Sequence, residues 1–128
     1  SEKENFMDLI HLGIALASLE RNDEAVAAFR LAVEAEPGNS AMHRNLARAL
    51  IATRAWADAE RSARQALSLT PNDAVAHDEL GVALAGQGRV NEAVEELQRS
   101  LAIDPSDEEA RGHLAAVMRD KDGIMRVQ

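Results

Sequence analysis

The sequence predicts an all-α fold in which seven helices stack along a solenoid. Three observations predict it. The only three prolines stand 34 residues apart, in Glu36-Pro37-Gly38-Asn39, Thr70-Pro71-Asn72-Asp73 and Asp104-Pro105-Ser106-Asp107. Proline lacks an amide N–H and disfavours helical geometry in the residue before it, whereas Gly, Asn, Asp and Ser suit turns and N-caps. Each turn therefore ends one helix and starts the next. Apolar residues make up 46% of the 128 but aromatics only 2%, and an apolar share carried by Ala and Leu favours close-packed helices over strands. Large and small residues also recur in register at the proline period, the mark of a repeat array.

Taken in order, residues 1–5 are polar and predict a frayed N-terminus. The first unit, 6–39, holds a helix over 6–19 that stops at Glu20-Arg21-Asn22. Its second helix runs from Asp23 to Ala35, with Asp23 and Glu24 suited to the positive end of the helix dipole. The second unit, 40–73, repeats the arrangement with helices over 40–53 and 56–69. Trp56 opens the latter and is expected against the turn and the next unit. The third unit, 74–107, gives helices over 74–85 and 90–103, separated by Gly86-Gln87-Gly88. A capping helix fills 108–119, its start marked at Ser106, which has capping-box spacing to Glu109. Residues 120–128 contain Gly123 and no period, and predict an irregular tail. Helices of about 12–14 residues are marginal alone, so stability must come from packing.

The packing positions are legible. Leu12, Leu46, Leu80 and Leu114 recur in register, as do Leu16, Leu50, Leu84 and Met118. So do the small residues Gly13, Ala47, Gly81 and Ala115, and Ala25, Ala59 and Ala93. Small side chains let helix backbones approach, and large ones beside them fill the remaining space. The chain resembles a tetratricopeptide repeat (TPR) protein, whose 34-residue pattern is W-x2-L-G-x2-Y…A-x3-F…P. The first unit reads Leu9-x2-Leu12-Gly13-x2-Leu16, Ala25-x3-Phe29 and Pro37. The second reads His43-x2-Leu46-Ala47-x2-Leu50, Ala59-x3-Ala63 and Pro71. The third reads His77-x2-Leu80-Gly81-x2-Leu84, Ala93-x3-Leu97 and Pro105. A partial fourth gives Arg111-x2-Leu114-Ala115-x2-Met118. Except at Phe29, the aromatic positions hold Leu, His or Ala, which lightens the packing. The resemblance implies a right-handed superhelix of antiparallel helix pairs, no catalytic activity, and a concave groove, lined by each unit's first helix, that receives a partner's peptide or helix.

By that resemblance, the groove draws Met7, Ile10, His11, Ile14 and Ala17 from the first unit. It draws Ala41, Arg44, Asn45, Arg48 and Ala52 from the second, Val75, Asp78, Glu79 and Val82 from the third, and Glu109 and His113 from the capping helix. The lining passes from apolar through basic to acidic. Arg44 and Arg48 are four residues apart, on one helix face, and suit a ligand carboxylate. The competing reading pairs them with Asp78 and Glu79 of the neighbouring helix. Some TPR domains hold a C-terminal carboxylate with a Lys/Asn/Asn/Lys/Arg clamp. Only Asn45 fits that frame here, because Ile10, Ile14, Val75 and Glu79 fill the other places. A chaperone-tail receptor is therefore not expected. Leu9, Leu12, Leu16 and Leu19 supply one packing face of the first helix, while Phe6, Met7, Ile10 and Ile14 lie elsewhere around it. Such a helix expects a cover: a partner, a second copy or further repeats. The plain alternative is an apolar terminal repeat.

Charge and motifs bound the remaining functions. The net charge of −8 opposes binding to nucleic acid or an anionic membrane. Residues 6–39 carry 2 basic and 6 acidic side chains, residues 40–73 carry 5 and 3, and residues 74–107 carry 2 and 7. The middle unit is thus a basic band between acidic ones. There is no cysteine, hence no disulfide or thiolate site. No apolar run approaches the ~20 residues of a membrane span, and Ser1 to Asn5 show no secretory pattern. A soluble chain is expected, with the cytoplasm favoured. His43 and His77 occupy the Trp position and are expected to pack between helices, while His11 and His113 stand alone in sequence. Glu95-Glu96 and Glu108-Glu109 read as solvated faces. No catalytic or metal-binding motif is present, so no cofactor or metal is expected. The sequence therefore predicts a non-catalytic protein–protein interaction module or adaptor, binding a protein or peptide partner. The alternative is a scaffold that homo-oligomerises through its apolar first helix.

Overall fold

The computed structural model describes residues 2–127, with side chains described over residues 5–120. Seven helices follow one another: α1 (Glu2–Ser18), α2 (Asn22–Ala35), α3 (Ser40–Ala52), α4 (Trp56–Leu69), α5 (Ala74–Gly86), α6 (Val90–Ile103) and α7 (Glu108–Val127). No strand occurs among the described residues. The two chain ends differ from expectation, apart from Ser1 and Gln128, which lie outside the described residues. Helix α1 begins at Glu2, and α7 continues to Val127 rather than ending near Arg119. No proline or turn cluster interrupts either segment, and a single glycine such as Gly123 costs a helix only about 1 kcal/mol.

Each unit closes its hairpin the same way. Glu20, Arg54 and Gly88 have φ of 60°, 61° and 79°. The next amide in each case reaches back five residues: Arg21 to the Leu16 carbonyl, Ala55 to Leu50 and Arg89 to Leu84. This is a left-handed helix stop, and only the third unit supplies the glycine that the conformation favours. Between units, Asp73 and Asp107 accept the Ala76 and Ala110 amides through Oδ1, at 3.2 Å each. Ser106 therefore does not cap α7. It donates its amide and hydroxyl to Asp104 within the turn, and the helix starts two residues later.

The recurrent small residues seat large neighbours. A Cβ at Gly13 would lie 2.6 Å from Phe29, and one at Gly81 would lie 2.7 Å from Leu97. At the matching place in the middle unit, Ala47 and Ala63 are both fully buried. Gly86 belongs to α5 rather than to the turn, and it carries the Trp56 indole directly against its backbone. One core joins Leu16, Phe29, Leu46 and Leu50, and another joins Leu80, Leu84, Leu97 and Val117. The junction at the base of each pair is solved three ways. Phe6 packs on Ala32, Ser40 Oγ donates to the Ala66 carbonyl, and Ser100 Oγ donates to the Ala74 carbonyl.

Two packing expectations need correction. Leu12 is 51% exposed, whereas its counterparts Leu46 and Leu80 are 5% and 1% exposed. Those two are covered by the preceding unit's second helix, which α1 has no equivalent of among the described residues. Leu19 and Met118 are also exposed, while Phe6 and Ile10 pack with Met42.

Candidate partner-binding groove

Successive first helices approach one another, α3 with α5 and α5 with α7, while the second helices pack mainly on the first helices beside them. The stack therefore curves with the first helices inside. Two cavities open along that inner face and meet at Arg48. The larger, about 360 Å³, is lined by Ile14, Ala17, Phe29, Asn45, Ala49 and Ala52 with Arg48 at its edge. The smaller, about 160 Å³, is lined by Arg48, Ile51, Asp78, Glu79, Val82, Glu109 and His113. Its acidity follows from the charge of the third unit.

Of the expected lining residues, Ile14, Ala17, Asn45, Arg48, Ala52, Asp78, Glu79, Val82, Glu109 and His113 come together here. Six do not, and of these Ala41 and Val75 line neither cavity. Ile10 turns into the packing around Met42. Met7 and His11 are exposed on α1 outside both cavities. Arg44 lines a separate cleft with Glu36, Asn39 and Asp73 beside the proline turns.

The ion pairs also differ from the expected set. Arg48 Nε lies 3.5 Å from Glu79 Oε1, as the competing reading had it. Arg44 Nε instead lies 3.0 Å from Asp73 Oδ2, without the alignment of a hydrogen bond. Asp78 pairs with neither arginine, because its Oδ1 is 2.8 Å from His113 Nδ1. The two arginines thus do not act as one carboxylate grip. Arg48 keeps 65% of its side chain exposed, against 6% for Glu79. Burial pushes the Glu79 carboxyl up to about 8, despite the opposing pull of Arg48 and Arg44. The Asp78 hydrogen bond, against some desolvation, raises His113 above the ordinary histidine range.

The histidines at the Trp position do more than pack. His43 Nε2 reaches the Pro37 carbonyl at 2.7 Å, and His77 Nε2 reaches that of Pro71 at 2.9 Å. Arg111 makes the same contact with Pro105. The residue six positions after each proline therefore clasps the turn, a regularity visible in sequence only as an unexplained His/His/Arg series. Glu96 is buried against His77 Nδ1 at 2.7 Å, so only Glu95 of that pair is a solvated face. Sequence reasoning also missed that His113 has carboxylate neighbours. Asp78 lies 35 residues away, and the i, i+4 spacing of Glu109 and His113 was the available signal.

The TPR fold is matched by known proteins. The family model described as Tetratricopeptide repeat matches residues 10–74 and again 44–108. No curated protein sequence matches the chain. Among solved structures, the chain is similar to the second TPR domain of human RPAP3 in complex with HSP70 peptide SGPTIEEVD. The TM-score is 0.84 and the identity 19%, over 92% of this chain and 98% of that one. It is similar also to the first TPR of Spaghetti (RPAP3) bound to HSP90 peptide SRMEEVD, at TM-score 0.85 and 23% identity over 93% and 94%. MamA from Desulfovibrio magneticus RS-1 gives TM-score 0.84 and 25% identity, over 94% of this chain and 68% of that one. With the period, the helix pairs and the family match in agreement, the chain belongs to the tetratricopeptide repeat family.

Proposed function

We propose that this chain is a non-catalytic interaction module that takes a partner's peptide or helix into the groove. An apolar anchor enters the cavity between Ile14 and Ala52, and a carboxylate of the same segment meets Arg48. The observation that carries this reading is Arg48 itself, a largely exposed guanidinium where the apolar and acidic cavities join. A loosely paired surface arginine keeps donors for a ligand, because such pairs contribute only about 0–1 kcal/mol. The peptide complexes of the RPAP3 domains support a peptide as the kind of partner. They do not supply the ligand, since Ile10, Ile14, Val75 and Glu79 fill places of the clamp and Glu79 offers a terminal carboxylate no cation.

A peptide array varying one apolar residue and the spacing to an Asp or Glu tests this. A selected peptide should lose about tenfold or more in affinity to Arg48→Glu and to Ile14→Glu, and far less to Arg44→Glu, whose charge serves Asp73. Equal affinity for all three variants, with helicity intact, makes the groove assignment wrong. A second reading, self-assembly through α1, rests on the exposure of Met7, Leu12, Ile14 and Leu19. Sedimentation over a range of concentrations separates the two: a dimer broken by Leu12→Glu supports self-assembly, and a strict monomer removes it.

A further inference from the structure

At the acidic end of the groove, Asp78 of α5 meets Glu109 and His113 of α7. Each offers one ligand atom, and these atoms all lie within 4.8 Å of one another. Metal bonds of about 2.0–2.2 Å set the ligands of one tetrahedral ion about 3.3–3.6 Å apart, so a contraction of at most about 1.5 Å between donors closes the set. Glu109 and His113 are one helical turn apart and share a face of α7. A second feature points the same way. Glu79 lines the same cavity of about 160 Å³ and is only 5% exposed. Its Oε2 is buried without a hydrogen-bond partner among the described residues, and its Oε1 has Arg48 no nearer than 3.5 Å. A buried carboxylate oxygen is costly unless a donor or a cation reaches it.

We propose that Asp78, Glu109 and His113 bind one divalent transition-metal ion of the zinc class, with Glu79 as an outer carboxyl group of the same cavity. One imidazole among carboxylates is a borderline donor set that suits Zn²⁺ or Co²⁺, whereas Ca²⁺ and Mg²⁺ take all-oxygen shells. His113 Nδ1 and Asp78 Oδ1 are 2.8 Å apart, so binding through Nδ1 exchanges the proton between them for the ion. The bound ion ties the capping helix to the third unit and offsets acidic charge at that end of the groove. The site goes beyond partner binding and does not depend on it.

The experiment is equilibrium binding of Zn²⁺ and Co²⁺ to the chelator-treated whole chain, read by calorimetry and by the visible d–d absorption of Co²⁺. One ion per chain is expected, not displaced by equimolar Ca²⁺. His113→Gln and Glu109→Gln should each weaken binding by more than the roughly 10–100-fold that loss of an outer partner costs, and Glu79→Gln by about that amount. Glu109 is exposed, so its variant leaves the fold intact, which circular dichroism verifies. Absence of saturable binding, unchanged affinity in both α7 variants, or displacement by equimolar Ca²⁺ overturns the proposal.

Discussion

Glu79 is the residue whose surroundings most contradict its chemistry. It is buried, and burial pushes its carboxyl up to about 8 from 4.5. The folded chain therefore holds more protons than the unfolded chain between those values, and stability falls as pH rises through that window. His113 acts in the same direction. Its contribution is complete below the unfolded value of 6.5 and is lost as pH rises through its raised folded pKa. With a chelator present, the melting temperature should be higher at about pH 5 than at about pH 8. Glu79→Gln keeps the shape and removes the charge, so it should flatten that dependence and stabilise the chain at high pH by about 1 kcal/mol or more. A melting temperature that rises with pH in the unaltered chain would contradict this account.

At the scale of the element, the hairpin turns show a conserved geometry met with unequal residues. Glu20 and Arg54 adopt the left-handed conformation that Gly88 adopts without strain. Arg54→Gly should stabilise the chain by about 0.5–1 kcal/mol, and Gly88→Ala should destabilise it by a similar amount, both seen as shifts in the urea midpoint. The α4–α5 contact gives a sharper case. Gly86 leaves room for the Trp56 ring, so Gly86→Ala should cost about 1–3 kcal/mol by overpacking and shift the indole emission. The α5–α6 turn is fastened to α4 as well, because Gln87 and Arg89 both donate to Glu60 Oε1 at 2.9 Å.

For the whole molecule, the consequence of stacking is that damage stays local. The first core is centred on Phe29 and Leu50, and the second on Leu80 and Leu97 with Val117 of α7 closing it. In a solenoid each unit is stabilised chiefly by its neighbours. Val117→Asp buries a charge in the second core and should destabilise the third unit by about 3 kcal/mol or more. Hydrogen exchange should then rise across α5, α6 and α7 and remain nearly unchanged in α1 and α2. Uniform acceleration along the chain would instead show a single cooperative unit.

The sequence by itself determined the period, the helix pairs and the small–large register, because these depend on proline geometry and on side-chain volume repeated every 34 residues. It determined the small positions Gly13 and Gly81 for the same reason, while the structure supplied their large neighbours, Phe29 and Leu97. Tertiary structure alone decided which charges meet. Arg44 went to Asp73 rather than Asp78, and His113 to Asp78 from 35 residues away, since the rotation of one helix against the next selects among several carboxylates within reach. It also decided that equivalent leucines differ. Leu12 and Leu46 are the same letter in the same register, and only the helix packed against the second buries it.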